Sequence, residues 1–367
     1  MNAYPLESIT LEQAMEKQFR LLDCMTRCFS GAESLTRGDL GVHQPGNEPV
    51  TTVKVEQVLA RFFGTEGSIL VRGSGTGAIR YGLSAILPAG GTLLVHTAPV
   101  YSTTATTIEM FGYRTVAADF NDLAQVEKTL SDHPEISAAL VQHSRQRLED
   151  SYDLAEVIAA IKKVRDIPVL VDDNYAVMKT RKMGAELGAD LSCFSTFKLQ
   201  GPEGIGCVVG KKAYIDKIRA MHYSGGCQTQ GFEAMEVLRG LTYAPVMLAI
   251  TAQTAEEVLS RLKAGEVPGV ADAMIASAQS KVLLITFDAP IAKQVLAAAE
   301  KRGGLPYPVG SESKYEIQPL FYRVSGTFRA IDPDITKRMI RINPMRGGDD
   351  TVLRILRQAM ERVRTCS

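Results

Sequence analysis

The residue with the most chemistry to offer in this 367-residue chain is Lys198. It lies three positions after Ser195, in the run Ser195-Thr196-Phe197-Lys198-Leu199-Gln200-Gly201-Pro202-Glu203-Gly204, and the apolar Cys207-Val208-Val209 follows. Gly and Pro at this density mark a turn-rich loop between two short strands. An amine held on a loop at the rim of a sheet can form an imine with an aldehyde; the ordinary alternative is a solvated surface lysine. A second stretch, Val169-Leu170-Val171-Asp172-Asp173-Asn174-Tyr175, runs an apolar strand straight into two carboxylates. A carboxylate at a strand's end can hold a protonated ring nitrogen through a charge-assisted hydrogen bond. It can equally cap the next segment, or join a Mg²⁺ site, although no third acid is near in sequence. Tyr175, three residues on, is spaced to reach a ring hydroxyl.

A third stretch, Arg72-Gly73-Ser74-Gly75-Thr76-Gly77-Ala78-Ile79, follows a strand and opens a helix. Free N–H groups and the helix dipole make such a start an anion site, and glycine lets the backbone come close to the anion. Gly73-x-Gly75-x-x-Ala78 formally matches a dinucleotide fingerprint, which needs an acid near the end of the next strand. That strand ends Val95-His96-Thr97-Ala98-Pro99 without one, so a single phosphate around Ser74, Gly75 and Thr76 fits better. Tyr101, just after the same strand, is placed to stack on a flat heterocycle or to be an ordinary half-buried tyrosine. An anion cradle, a stacking ring, a pyridinium partner and an imine-forming amine are together what pyridoxal 5′-phosphate (PLP) requires.

The elements that must position these groups read as an α/β fold. Short apolar runs at 68–71, 92–95, 114–117, 138–141 and 169–171 alternate with helical patterns over 75–87, 102–111, 122–130 and 154–164. That alternation predicts βαβ units and a mostly parallel sheet, with ligands at the carboxyl ends of the strands. Residues 10–30 read as an amphipathic helix, 31–49 as a long irregular arm, and 53–63 as a helix. Beyond residue 226 the pattern predicts helices over 232–241 and 245–264, then strands at 282–287 and 339–342 and helices over 289–302 and 350–363. We therefore expect an N-terminal helix and arm (1–49), a large domain (50–244) and a smaller α+β domain (245–367).

Composition narrows the partners. Lys+Arg and Asp+Glu both number 41, which gives no support for nucleic acid or an anionic membrane surface. No run of about 18 apolar residues is present, so no membrane span is expected. Residues 1–20 lack the apolar core of a secretory signal. The cysteines at 24, 28, 193, 207, 227 and 366 form no CxxC pair and no zinc spacing. Buried thiols in a reducing, cytoplasmic setting are the expectation, and no metal site is foreseen.

With these motifs the chain resembles the fold-type I PLP-dependent superfamily of aminotransferases and Cys/Met-metabolism enzymes, and within it the aminotransferase-like YhfS branch. The resemblance runs over nearly the whole chain through residues 73–79, 96–101, 141–145, 172–175, 197–199, 201–204, 223–226 and 239–241. It implies a seven-stranded-type sheet and a homodimer, with PLP bound as an internal aldimine to Lys198. It also implies that Ser74, Gly75, Thr76 and Ser195 hold the phosphate, that Tyr101 stacks on the ring, and that Asp172 meets its nitrogen. Tyr175 matches an aspartate-x-x-tyrosine spacing. His143 stands where relatives place a residue near the ring's 3-hydroxyl, or is a satisfied loop histidine. Arg341, in Met339-Ile340-Arg341-Ile342-Asn343, resembles the arginine that grips a substrate α-carboxylate, a task its fork suits; otherwise it is a salt-bridged strand residue. Two departures touch the lyase reaction. Phe197 replaces a small hydroxyl residue, and residues 50–54 lack the tyrosine-x-arginine that reaches a neighbouring subunit's phosphate.

The function expected is chemistry at Cα of an amino-acid substrate, with Lys198 as base and Asp172 as pyridinium partner. An aminotransferase-like outcome leads, β/γ-elimination is the alternative, and racemisation shares the same first half. Two other classes, a dinucleotide-dependent oxidoreductase and a binding module that only kept the fold, are opposed by the missing acid near residue 96 and by the intact Lys198 and Asp172.

Overall fold

The computed structural model describes residues 3–278, 280–324 and 334–365; Cys366 lies outside them. Two compact units emerge. The larger comprises Glu12–Ser144 and Ser151–Pro245, the smaller Met1–Leu11, Arg145–Asp150 and Val246–Ser367.

In the larger unit the apolar runs become strands β1 (Gly67–Arg72), β2 (Thr92–His96), β3 (Arg114–Ala118), β4 (Ile136–Gln142), β5 (Val169–Asp172), β6 (Leu191–Ser195) and β7 (Ile205–Gly210). They form one sheet in the order β1-β7-β6-β5-β4-β2-β3. The pairs from β3 through β6 are parallel, while β7 is antiparallel to both β6 and β1. The antiparallel pairing follows from the short loop carrying Lys198, which turns the chain straight back; a parallel return would need a crossover of a dozen residues or more.

Helices α1 (Leu11–Thr26), α2 (Val50–Phe63), α3 (Ser74–Ile86), α4 (Ser102–Met110), α5 (Leu123–Asp132), α6 (Leu154–Val164), α7 (Lys212–Met221) and α8 (Gly231–Lys263) complete the order into the second unit. Alternation along the strands feeds two separate cores. Leu140, Leu170, Cys193 and Val208 pack with Ile79 and Leu83 of α3 and Ile218 of α7. Ala139, Val141, Val169 and Val171 pack with Leu130 of α5 and Val157 and Ile161 of α6. A sheet covered on both faces needs near-continuous apolar strands, which is why those runs stood out in the sequence.

The smaller unit holds β8 (Val270–Ala278), β9 (Ser280–Phe287), β10 (Leu320–Arg323) and β11 (Met339–Asn343), all antiparallel in the order β10-β11-β9-β8. Helices α9 (Ala292–Glu300) and α10 (Asp349–Thr365) bury Val295, Ala299, Leu353, Leu356 and Met360 against it. One expectation needs correcting. The helices foreseen over 232–241 and 245–264 are one 33-residue helix, α8, with Pro245 inside it. Proline removes one backbone donor and strains its turn, but apolar burial from Met235 to Leu262 outweighs that. Strands β8 and β10 and helix α7 had no counterpart in the sequence reading.

One buried ionic cluster ties α2 to α7. Glu56 Oε1 accepts from Leu70 N at 2.8 Å and its Oε2 from Arg219 Nη2 at 2.8 Å. Burial nonetheless pushes its carboxyl up to about 7, against the pull of Arg219. Because the folded value lies above the unfolded one, the native chain binds more protons, and stability falls as pH rises through about 4.5 to 7. Glu56→Gln should flatten that fall, by on the order of 3 kcal/mol across the window. Urea unfolding from pH 5 to 8 checks it; parallel curves for the two proteins would assign the titration elsewhere.

Candidate active site

The strand ends set the site's frame. Ser74–Thr76, Tyr101 and His143 follow β1, β2 and β4, and Asp172 and Ser195 end β5 and β6 with Tyr175 and Lys198 just beyond, all at the carboxyl ends of strands of the larger unit's sheet. Arg341 lies on β11 in the smaller unit.

The turn from β1 into α3 is conformationally costly. Gly73 takes φ +94° and Ser74, a non-glycine, φ +56°, a region that L-residues enter reluctantly. Both N–H groups donate to Gly204 O, at 2.8 and 3.0 Å, so the loop after Lys198 holds this turn in place. Thr76 Oγ1 donates to Thr103 Oγ1 at 3.1 Å. Tyr101 occupies the N-cap position of α4, its carbonyl accepting from Thr104 N and Ala105 N at 2.9 Å.

Lys198 sits in a single 3₁₀ turn, Thr196–Leu199, closed by Gln200 at φ +68°. Its Nζ stands 3.5 Å from the centroid of the Tyr175 ring, a cation–π distance. Asp172 is buried, and burial pushes its carboxyl above the ordinary range. The Asn174 N–H and the charge of Lys198 pull the other way. Asn174 carries a role that the sequence reading missed. Its N and Nδ2 donate to Asp172 Oδ1 at 3.0 and 2.8 Å, and its Oδ1 accepts from Ser195 N at 2.9 Å. The side chain thus links the acid after β5 to the serine ending β6. A Cβ added to Gly75 would come within 2.0 Å of Asn174 Oδ1, so glycine at 75 lets the helix start close against this link. The available signal was an Asn in the turn just past a strand, where such side chains bond nearby backbone.

Asp173 was also passed over. It is fully buried, with His143 Nδ1 at 2.6 Å from Oδ1 and Gly184 N donating to Oδ2 at 3.0 Å. Strand alternation sends Asp172 and Asp173 to opposite faces; His143 joins Asp173, while its N–H donates to Asp172 O at 3.0 Å. In the smaller unit Arg341 is buried, its guanidinium 4.7 Å over the Tyr322 ring of the paired strand β10.

These residues fit PLP. A buried carboxylate held above its usual range suits a cationic ring nitrogen, an amine stands within electrostatic reach of it, and Gly75 leaves room at a helix start. Comparison with known proteins agrees. Residues 46–280 match the model of the Cys/Met metabolism PLP-dependent enzymes, and residues 256–356 that of the YhfS-like C-terminal domain. The chain belongs to this Cys/Met-metabolism family of PLP-dependent enzymes. It is 54% identical to the protein YhfS of Escherichia coli (strain K12) over 360 residues, 98% of this chain and 99% of that one. A crystal structure of the PLP-dependent protein YhfS from Escherichia coli superposes with a TM-score of 0.97 at 53% identity, covering 99% and 100% of the two chains. A methionine gamma lyase from Micromonospora echinospora shares the fold, with a TM-score of 0.72 at 20% identity over 94% of this chain and 98% of that one.

Gly75→Ala should weaken PLP binding at least tenfold, because its methyl displaces Asn174. Asn174→Ala should cost about as much, and the double variant less than the sum. Absorbance titration of the apoprotein with PLP measures all three; strict additivity would show that the two positions act apart.

Proposed function

We propose that this PLP-dependent enzyme acts at Cα of an amino-acid substrate with an aminotransferase-like outcome. The observation that carries the reading is the Lys198 amine resting 3.5 Å over the Tyr175 ring, within reach of buried Asp172. When bound, PLP supplies an electrophilic aldehyde and an electron-accepting ring. Asp172 holds the proton on the ring nitrogen, and Asn174 keeps that carboxylate oriented. Ser74, Gly75, Thr76 and Ser195 bind the phosphate, using the N-terminus of α3. Tyr101 is assigned to stack on the ring, Tyr175 to donate its hydroxyl to the ring's 3-oxygen, and His143 to lie near that oxygen. Lys198 takes the proton from Cα and returns it elsewhere as a general base and acid. Arg341 is assigned to the substrate α-carboxylate on its fork chemistry.

Two features of this chain support the aminotransferase-like branch over elimination. Phe197 offers no hydroxyl beside the lysine, and residues 50–54 begin helix α2 and carry no tyrosine-x-arginine. The β/γ-elimination reading is favoured by the family match and by the fold shared with a lyase.

Lys198→Ala should abolish turnover and the visible absorption of the bound cofactor, and Asp172→Asn should lower turnover by about 100-fold or more. Wild type incubated with an amino-acid panel and a 2-oxo acid should form the new amino acid without releasing ammonia. Ammonia and a 2-oxo acid appearing without an acceptor would replace this reading with elimination.

A further inference from the structure

In the larger unit α2, β1, the end of α7 and the segment before α8 line a small, partly open hollow of about 20 Å³. That is room for one water-sized molecule. Three side chains on its wall, all more than nine-tenths buried, present polar atoms with no hydrogen-bond partner in the protein: His222 Nε2, Gln228 Oε1 and Thr229 Oγ1.

Their chemistry is fixed by what their other atoms do. His222 Nδ1 lies 2.7 Å from Ile218 O, so Nδ1 carries the hydrogen. Burial also lowers the imidazole's pKa, leaving Nε2 a bare lone pair. The Gln228 amide nitrogen donates to Asn47 O at 2.6 Å and His222 O at 3.0 Å, which makes Oε1 the remaining acceptor. Two obligate acceptors and a hydroxyl, all without a partner in the protein, therefore belong to residues lining the same small hollow. The charged groups on the wall are Glu48, Glu56 and Arg219. Arg219 is paired to both acids, so at a pH above about 7, where Glu56 is ionised, one negative charge is left in excess.

We infer that this cavity is a binding site for ammonium. A donor-only cation of that size satisfies His222 Nε2 and Gln228 Oε1 and offsets the surplus carboxylate. Water matches the acceptors but not the charge, and potassium, a hard cation, prefers oxygen to the imidazole nitrogen. The site is separate from the PLP chemistry and does not rest on the reaction assigned above.

The test is thermal melting of the holoenzyme in ammonium, potassium or tetramethylammonium chloride at equal ionic strength and pH 8. A bound ion raises Tm saturably with its concentration. Ammonium should raise Tm by a few degrees over tetramethylammonium, which is too large to enter, and should exceed potassium. The increment should vanish in Glu56→Gln, and in Thr229→Val its midpoint should move to higher ammonium. Equal melting in all three salts would overturn the inference in favour of a buried water. Equal effects of ammonium and potassium would overturn it in favour of an oxygen-ligated metal ion. An ammonium increment that persists in both variants would place the effect outside this cavity.

Discussion

A carboxylate taken out of water at the end of a buried strand is expensive unless its oxygens are hydrogen-bonded and a positive charge is close. Asp172 is that carboxylate, and the arrangement around it answers the cost in stages. Asn174 donates twice to one oxygen, Lys198 supplies nearby charge, and burial still holds the carboxyl above its usual range. The residual cost makes the position receptive to a cationic ring nitrogen. The same bonds fix geometry, because Asn174 reaches from Asp172 to Ser195, and Ser195 opens the turn that carries Lys198. Acid and amine are thus located relative to each other by one amide.

The turn from β1 into α3 is drawn into the same set through its backbone. Gly204 O, beyond the lysine turn, receives Gly73 N and Ser74 N, and Gly206 must lack a side chain because Ser74 O lies where its Cβ would be, at 2.1 Å. The left-handed Ser74 is strain of the kind that persists only where surrounding structure over-determines it. Antiparallel β7 supplies that constraint by returning the chain from Lys198 directly to β1.

What the sequence disclosed follows from how each group is held. Lys198, Asp172 and the turn at residues 73–79 sit at ends of apolar runs, and the burial of those runs on both sheet faces wrote them plainly into the chain. Asn174 and Asp173 were hidden because their partners, Ser195 N, Gly184 N and His143, are distant in sequence and belong to backbone geometry or to another strand. Helix α8 was split at Pro245 because a local rule about proline ignored the burial on both sides of it. Strands β8 and β10 are held by their place in the antiparallel sheet, which no local pattern announces, whereas helix α7 carries an amphipathic period at least as strong as that of α3 and α4 and was legible.

The branch of the reaction is a separate matter from the site's inventory. Loss of the Cα proton asks only for an electron-accepting ring, a carboxylate to keep it protonated and a base, and those requirements are common to transamination, elimination and racemisation. The outcome turns on where the base delivers its proton and whether a second acid assists a leaving group on the side chain. In this chain the residue next to the lysine is Phe197, which can neither donate nor relay a proton. The amine itself rests on an aromatic face that offers it no competing proton acceptor of its own. An apolar neighbour supplies no acid to assist a leaving group on the substrate's side chain, and that is the ground on which we propose an aminotransferase-like course over elimination within a family whose fold also carries lyases.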